Sequence, residues 1–146
     1  MLAYLDSSIV LRAVLPGPGR APWRQWLDTT FTQFDALVSS RLLRTEVVRV
    51  LRREQLPLVE GDTALSRIRL ISVTGATFQV AESIEPNVRT LDALHLATAL
   101  VVGRPLIVVT HDAMMTDVAS SIGLCVFDPV RSDNTPLAIP GSVAGG

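Results

Sequence analysis

Four acids in this chain stand where chemistry could use them. Asp6 follows the apolar run Leu2-Ala3-Tyr4-Leu5 and precedes Ser7-Ser8. Asp112 repeats the arrangement shortly after Leu106-Ile107-Val108-Val109. Each reads as a buried strand, then an acid, then a helix, and open α/β sheets place their ligands at such strand ends. Asp92 falls in the first turn of a stretch, Leu91 to Ala99, so apolar that the helix should be buried. A carboxylate there needs a cap, a cation or a metal. Glu46 sits on the edge of the helical face made by Leu42, Leu43, Val47, Val50 and Leu51. If these carboxylates converge to about 6 Å, each pair repels by roughly 3 kcal/mol at an effective dielectric of about 20. Such a cluster does not stay fully ionised without a cation. A hard divalent ion, Mg²⁺ or Mn²⁺, prefers oxygen ligands, supplies a bound water as nucleophile and offsets charge developing on a phosphodiester. The pattern points to metal-assisted phosphodiester hydrolysis, with Asp6, Glu46, Asp92 and Asp112 catalytic and Asp6, Asp92 and Asp112 holding the metal. Ser7, Ser8 and Thr110 flank the acids as hydrogen-bond partners. Asp117 is either a further partner or an exposed helix residue.

Plainer readings stand beside these. Asp6 alone would serve as a turn residue, and Glu46 as a surface acid paired with Arg49 or Arg53. His95 reads as a hydrogen-bonded core histidine or as a ligand or base. Trp23 and Trp26, three apart on one helix face, read as core or subunit-interface anchors or as a base-stacking platform.

The elements that must position the acids follow from periodicity and breakers. Ser7 or Ser8 suits the N-cap of a helix over 9–15, which Pro16-Gly17-Pro18-Gly19 ends. A second helix starts near Pro22. A short strand over 37–39 leads to a helix over 41–54, capped by Ser39-Ser40. A further helix covers about 59–70, a strand 71–73, and 77–84 is ambiguous. Thr90 can cap a helix running to Val102 and ended by Gly103. Strand 106–109, a helix over 113–122 closed by Gly123, and strand 124–127 complete the pattern, with Cys125 read as a small core residue. Residues 1–129 form one domain, and the aperiodic segment 130–146 is expected to be a flexible tail. Alternating strands and helices imply an α/β domain with a mainly parallel sheet, and right-handed crossovers bring Asp6 and Asp112 to the same edge.

Composition narrows the function. With 146 residues, 48% hydrophobic and 18% charged, the chain is long and apolar enough to bury a core. A net charge of −1 argues against a general polyanion binder. All 13 basic residues are arginine, so a lysine-dependent mechanism is excluded and every cationic contact is a guanidinium. Arg41, Arg44, Arg49, Arg52 and Arg53 share one helix, either as a solvated face or as a phosphate- or partner-binding patch. The single cysteine excludes a disulfide framework and a multi-cysteine metal site. No run long enough for a membrane span and no secretory leader is evident, so a cytoplasmic protein is expected.

Taken in order, Tyr4-Leu5-Asp6-Ser7-Ser8, Arg44-Thr45-Glu46-Val47, Leu91-Asp92-Ala93-Leu94-His95-Leu96-Ala97-Thr98-Ala99 and Val109-Thr110-His111-Asp112 resemble the successive motifs of PIN-domain ribonucleases. The match is best to the VapC-type toxins of bacterial toxin–antitoxin pairs and spans about Met1 to Pro129. The resemblance implies a PIN-like three-layer α/β/α domain. It also implies a Mg²⁺- or Mn²⁺-dependent endoribonuclease that cuts tRNA, rRNA or mRNA, forms a homodimer and is inhibited by a cognate VapB-type antitoxin. Arg44, Arg49 and Arg53 would then contact RNA or antitoxin. His111 stands where the family usually has Tyr or Asn, and Ala113 where an Arg often follows. A haloacid dehalogenase-like phosphatase needs a second acid two residues after the first, where this chain has Ser8, and a response-regulator receiver needs a lysine. A non-catalytic α/β binding module remains the alternative of a different kind.

Overall fold

The computed structural model describes residues 1–140. Its centre is a sheet of five parallel strands: β1 (Leu2–Leu5), β2 (Ala36–Ser40), β3 (Ile68–Ile71), β4 (Leu106–Val109) and β5 (Cys125–Phe127), in the order β3-β2-β1-β4-β5. The helices are α1 (Ser7–Val14), α2 (Arg20–Gln33), α3 (Leu42–Arg53), α4 (Val59–Ser66), α5 (Gly75–Glu82), α6 (Thr90–Val102) and α7 (Ala113–Ser121). The chain builds outward from β1 through β2 to β3, then crosses back to lay β4 on the other side of β1. That reversal makes the β1–β4 junction a topological switch point, the place where open α/β sheets bind their ligands.

The alternation along β1 assigns the layers. Ala3 and Leu5 face a core with Ile9, Val10, Trp23, Leu43, Val47 and Leu51, from α1, α2 and α3. Leu2 and Tyr4 face the opposite side with Val38, Ala99 and Val108. All four residues of β1 are buried, as a central parallel strand requires. Gly61 lets α4 close on α3, since a Cβ there would stand 3.0 Å from Val47 Cγ1. Gly103 (φ +63) ends α6 in the left-handed conformation that favours glycine. Among the described residues no helix is long and apolar enough to cross a membrane.

The expected three-layer α/β/α architecture is present, and several local expectations are corrected. Ser7 and Ser8 are the first helical residues of α1, and Asp6 holds the N-cap position without a side-chain cap bond. Their hydroxyls point instead at acids, as described below. Thr90 likewise opens α6 inside the helix, after Arg89. Strand β3 lies three residues earlier than expected because α4 stops at Ser66. The ambiguous segment is helix α5, fixed by a reciprocal Thr74–Thr77 capping box. Cys125 is exposed on the edge strand β5.

The largest correction concerns the segment after Pro129. Its described part, to Pro140, is packed on the first helical layer. Trp23 Nε1 donates to the Asn134 carbonyl (2.8 Å) and Trp26 Nε1 to the Leu137 carbonyl (2.9 Å). The two indoles meet edge to face at 5.4 Å, Arg12 lies over Trp23, and Ile139 is buried with them. Buried indoles need an acceptor for their N–H, and here backbone carbonyls supply it, so no side-chain periodicity marked the segment. Residues 141–146, also expected to be flexible, lie outside the described residues. Ile139→Ala is expected to lower the unfolding free energy by about 2–4 kcal/mol and shift tryptophan fluorescence to the red. A change within experimental error in urea titration would contradict this packing.

Candidate metal and catalytic site

Asp6 and Asp112 follow β1 and β4 at the carboxyl edge of the sheet, Asp92 on α6 is near enough to feel both charges, and Glu46 on α3 is linked to this edge through Ser7. Asp6 is buried at the end of β1, and its backbone N–H continues the ladder to the Val109 carbonyl of β4 (3.1 Å). Its Oδ2 accepts from Ser8 Oγ (2.7 Å) and Thr110 Oγ1 (2.8 Å). Thr110 Oγ1 in turn accepts from the Asp112 N–H (3.1 Å), and Ser8 Oγ from the His111 N–H (3.1 Å). Two hydroxyls thus lock the two strand-end loops together around Asp6. Asp112 is the N-cap of α7, its Oδ1 accepting from the Met115 N–H (2.9 Å).

Glu46 reaches the same edge from α3. Its Oε2 accepts from Ser7 Oγ (3.2 Å), and its Oε1 lies 2.5 Å from His95 Nε2. The alternative pairing with Arg49 or Arg53 is not made; Arg53 pairs with Glu54 at 3.2 Å. His95 is completely buried on α6, and its Nδ1 lies 2.7 Å from the Tyr4 hydroxyl. Tyr4 O also accepts from the Ser40 N–H (3.1 Å). Burial pushes the Tyr4 phenol well above its ordinary range, so it remains a proton donor. His95 is therefore a hydrogen-bonded core histidine, as one of the two readings had it, but one of its partners is a site acid. Tyr4 was missed. The available signal was a phenol inside an otherwise aliphatic strand, because a buried hydroxyl requires partners. The His111–Asp128 pair (2.8 Å) beside Asp112 was also missed.

Asp92 is half-buried and faces the other acids. Burial raises its carboxyl above the ordinary range, the charges of Asp6 and then Asp112 raise it further, and the Arg89 guanidinium opposes the effect. Ser7 hydrogen-bonds Glu46, and Ser8 and Thr110 hydrogen-bond Asp6. Asp117, read as either a further partner or an exposed helix residue, is exposed on α7 and hydrogen-bonds none of the four acids among the described residues. Arg44 and Arg49 are exposed on α3 and form no ion pair among the described residues.

These donors suit a hard cation. The hydrogen bonds to Asp6 fall on Oδ2 and the one to Asp112 on Oδ1, which leaves Asp6 Oδ1 and Asp112 Oδ2 without partners among the described residues. No arginine forms an ion pair with Asp6, Asp92 or Asp112 among them. Nor do any three His, Cys, Asp or Glu groups among them close around one point. The arrangement fits an ion held by one or two carboxylates, with water completing its shell, as Mg²⁺ prefers.

A family model for the PIN domain matches residues 3–120. The chain belongs to the PIN-domain family. Among curated PIN-domain relatives it is 35% identical to Ribonuclease VapC46 of Mycobacterium tuberculosis, over 86% of this chain and 96% of that protein. It is 29% identical to Ribonuclease VapC47 of the same species, over 88% of this chain and 97% of that protein. VapBC2 from Rickettsia felis, solved bound to a DNA fragment from their promoter, shares the fold with a TM-score of 0.65. That alignment covers 88% of this chain and 98% of the solved one at 15% identity. The PIN-domain chain is thus of VapC type.

The raised Asp92 carboxyl has a consequence for stability. The native state binds this proton more tightly than the unfolded chain, so stability falls as pH rises from the ordinary carboxylate range through the raised value. The loss is complete once the pH exceeds the raised value. Asp92→Asn is therefore expected to melt above the wild type at neutral pH, with the gap closing in acid. Mg²⁺ is expected to narrow the same gap by stabilising only the wild type. Equal melting temperatures at neutral pH in metal-free buffer would contradict the electrostatic reading of the cluster.

Proposed function

We propose that this VapC-type PIN domain is a Mg²⁺- or Mn²⁺-dependent endoribonuclease that acts as the toxin of a toxin–antitoxin pair. The observation that carries this reading is the pair of incompletely bonded carboxylates after β1 and β4, Asp6 and Asp112, beside Asp92 of α6, whose ionised form is disfavoured by burial and then by those two charges. The naming of both curated relatives as ribonucleases supports it.

Asp6 and one of Asp92 and Asp112 would hold the ion directly, with the third acid reaching it through water, and the ion would supply a water of lowered pKa and counter-charge for the phosphodiester. Ser8 and Thr110 fix Asp6, and the α7 N-terminus fixes Asp112, so the carboxylates are aimed before substrate arrives. Glu46 would accept the proton of the attacking water. The water oxygen forms a new bond to phosphorus, one P–O ester bond of the chain breaks, and the departing ribose oxygen takes up a proton from solvent. Arg44, Arg49 and Arg53, exposed along α3 with Glu46, would contact the RNA backbone or the antitoxin by bidentate guanidinium bonds.

The partner would be a VapB-type antitoxin, as the VapBC2 neighbour suggests. Phe78 on α5 and Leu91 on α6 are large exposed apolar side chains and offer a surface for a second copy in a homodimer. The protein would act in the cytoplasm, where its RNA substrates, whether tRNA, rRNA or mRNA, are found. Residues 1–129 would form the PIN domain proper.

Asp6→Asn, Glu46→Gln, Asp92→Asn and Asp112→Asn are each expected to lower RNA cleavage by about 100-fold or more while keeping the wild-type circular dichroism spectrum. Sequencing of RNA ends after brief induction in cells would give the cut site, and EDTA should abolish cutting until Mg²⁺ or Mn²⁺ is restored. Folded carboxamide variants that cut as the wild type does would overturn the nuclease reading, and variants that unfold would favour the non-catalytic binding module.

A further inference from the structure

Glu46 is the one site acid on α3, and it is held from the opposite helical layer. Tyr4 and His95 face the α6 side of the sheet, whereas α3 packs on the other side. The chain of contacts Ser40 N–H, Tyr4 hydroxyl, His95 ring, Glu46 carboxylate therefore passes over the carboxyl edge of β1 and β2. Each link has a direction. The Ser40 N–H can only donate, so it takes a lone pair of Tyr4 O and leaves the phenol proton for another acceptor. The nearest acceptor is His95 Nδ1, at 2.7 Å. An Nδ1 that accepts places the ring proton on Nε2, and Nε2 faces Glu46 Oε1. Ser7 holds the other carboxylate oxygen.

Resting on the nuclease reading above, we propose that His95 is a positioning residue for Glu46, kept in its Nε2–H tautomer by Tyr4, so that the carboxylate is clamped on both oxygens. A long, flexible Glu side chain on an exposed helix edge would otherwise sample several rotamers. The ring is completely buried, so it does not touch substrate and acts only through Glu46. This differs from metal binding: neither ring nitrogen is free, and the bond from His95 runs to the acid on α3 rather than to Asp6, Asp92 or Asp112.

The chain has two histidines, so ¹⁵N-histidine labelling with a His111→Gln control assigns both rings in the full-length protein without metal or RNA. His95 is expected as a single neutral Nε2–H tautomer, and Tyr4→Phe should mix the two tautomers. With a synthetic RNA carrying the mapped cut site and saturating Mg²⁺, His95→Leu should lower kcat by about 10- to 100-fold while KM stays within about twofold. His95→Gln, whose amide can still donate to Glu46, should recover kcat to within about fivefold of wild type. Should His95→Leu fail to fold, the Gln and Phe variants and the tautomer spectrum decide. An Nδ1–H or doubly protonated ring, wild-type kcat in folded His95→Leu, or a Gln variant as impaired as Leu would overturn the proposal. Cleavage that depends on Asp6 but not on His95 defeats this inference alone. Cleavage by the wild type that survives Asp6→Asn defeats the nuclease reading itself, whatever the spectrum shows.

Discussion

A partly desolvated carboxylate set near two others close to the β1–β4 junction is the constraint on which the site depends. Asp92 is raised first by burial and then by the charges of Asp6 and Asp112. A fold that only needed stability would have relieved this with an arginine, of which the chain has many, or with an amide. Arg89 offsets this only in part, and other guanidiniums pair with Glu60, Asp28 and Glu54. Charge left partly uncompensated at strand ends is the pattern expected of a cation site, where binding energy of the ion offsets the strain.

The surrounding structure holds those acids still. Two hydroxyls, Ser8 and Thr110, tie the loops after β1 and β4 to Asp6, and each also accepts a backbone N–H from the loop at His111 and Asp112. The same side chains that orient one ligand therefore set the backbone that carries another. Glu46 is held independently, through Ser7 and the Tyr4–His95 pair. The two supports come from opposite faces of the sheet, so both helical layers contribute to one edge.

Much of this was legible in the sequence, for a physical reason. Asp6 and Asp112 interrupt apolar runs at the strand-to-helix transition, and period and polarity change there together. Asp92 stood out because its helix is apolar nearly all round. Glu46 was ambiguous because helical spacing says which face a residue shares, not what lies opposite it. Tyr4 and His95 are 91 positions apart, and no local pattern reveals that a phenol and an imidazole will meet. The segment 130–140 was misread because its anchoring uses its own backbone carbonyls and two indoles 111 residues away. Strand β3 was displaced because Ile68-Arg69-Leu70 extends a helical pattern as readily as it starts a strand. The PIN-domain resemblance helped where motifs are local and was silent on these long-range contacts.

Anomalous diffraction from crystals of the wild-type chain grown with Mn²⁺ tests the cation site most directly. A strong peak bonded to carboxylate oxygens of Asp6 and of Asp92 or Asp112 is expected, with water in the remaining positions and Glu46 still on His95. A map with no peak at the β1–β4 edge, at a Mn²⁺ concentration that supports RNA cleavage, would contradict the assignment of these acids to a metal.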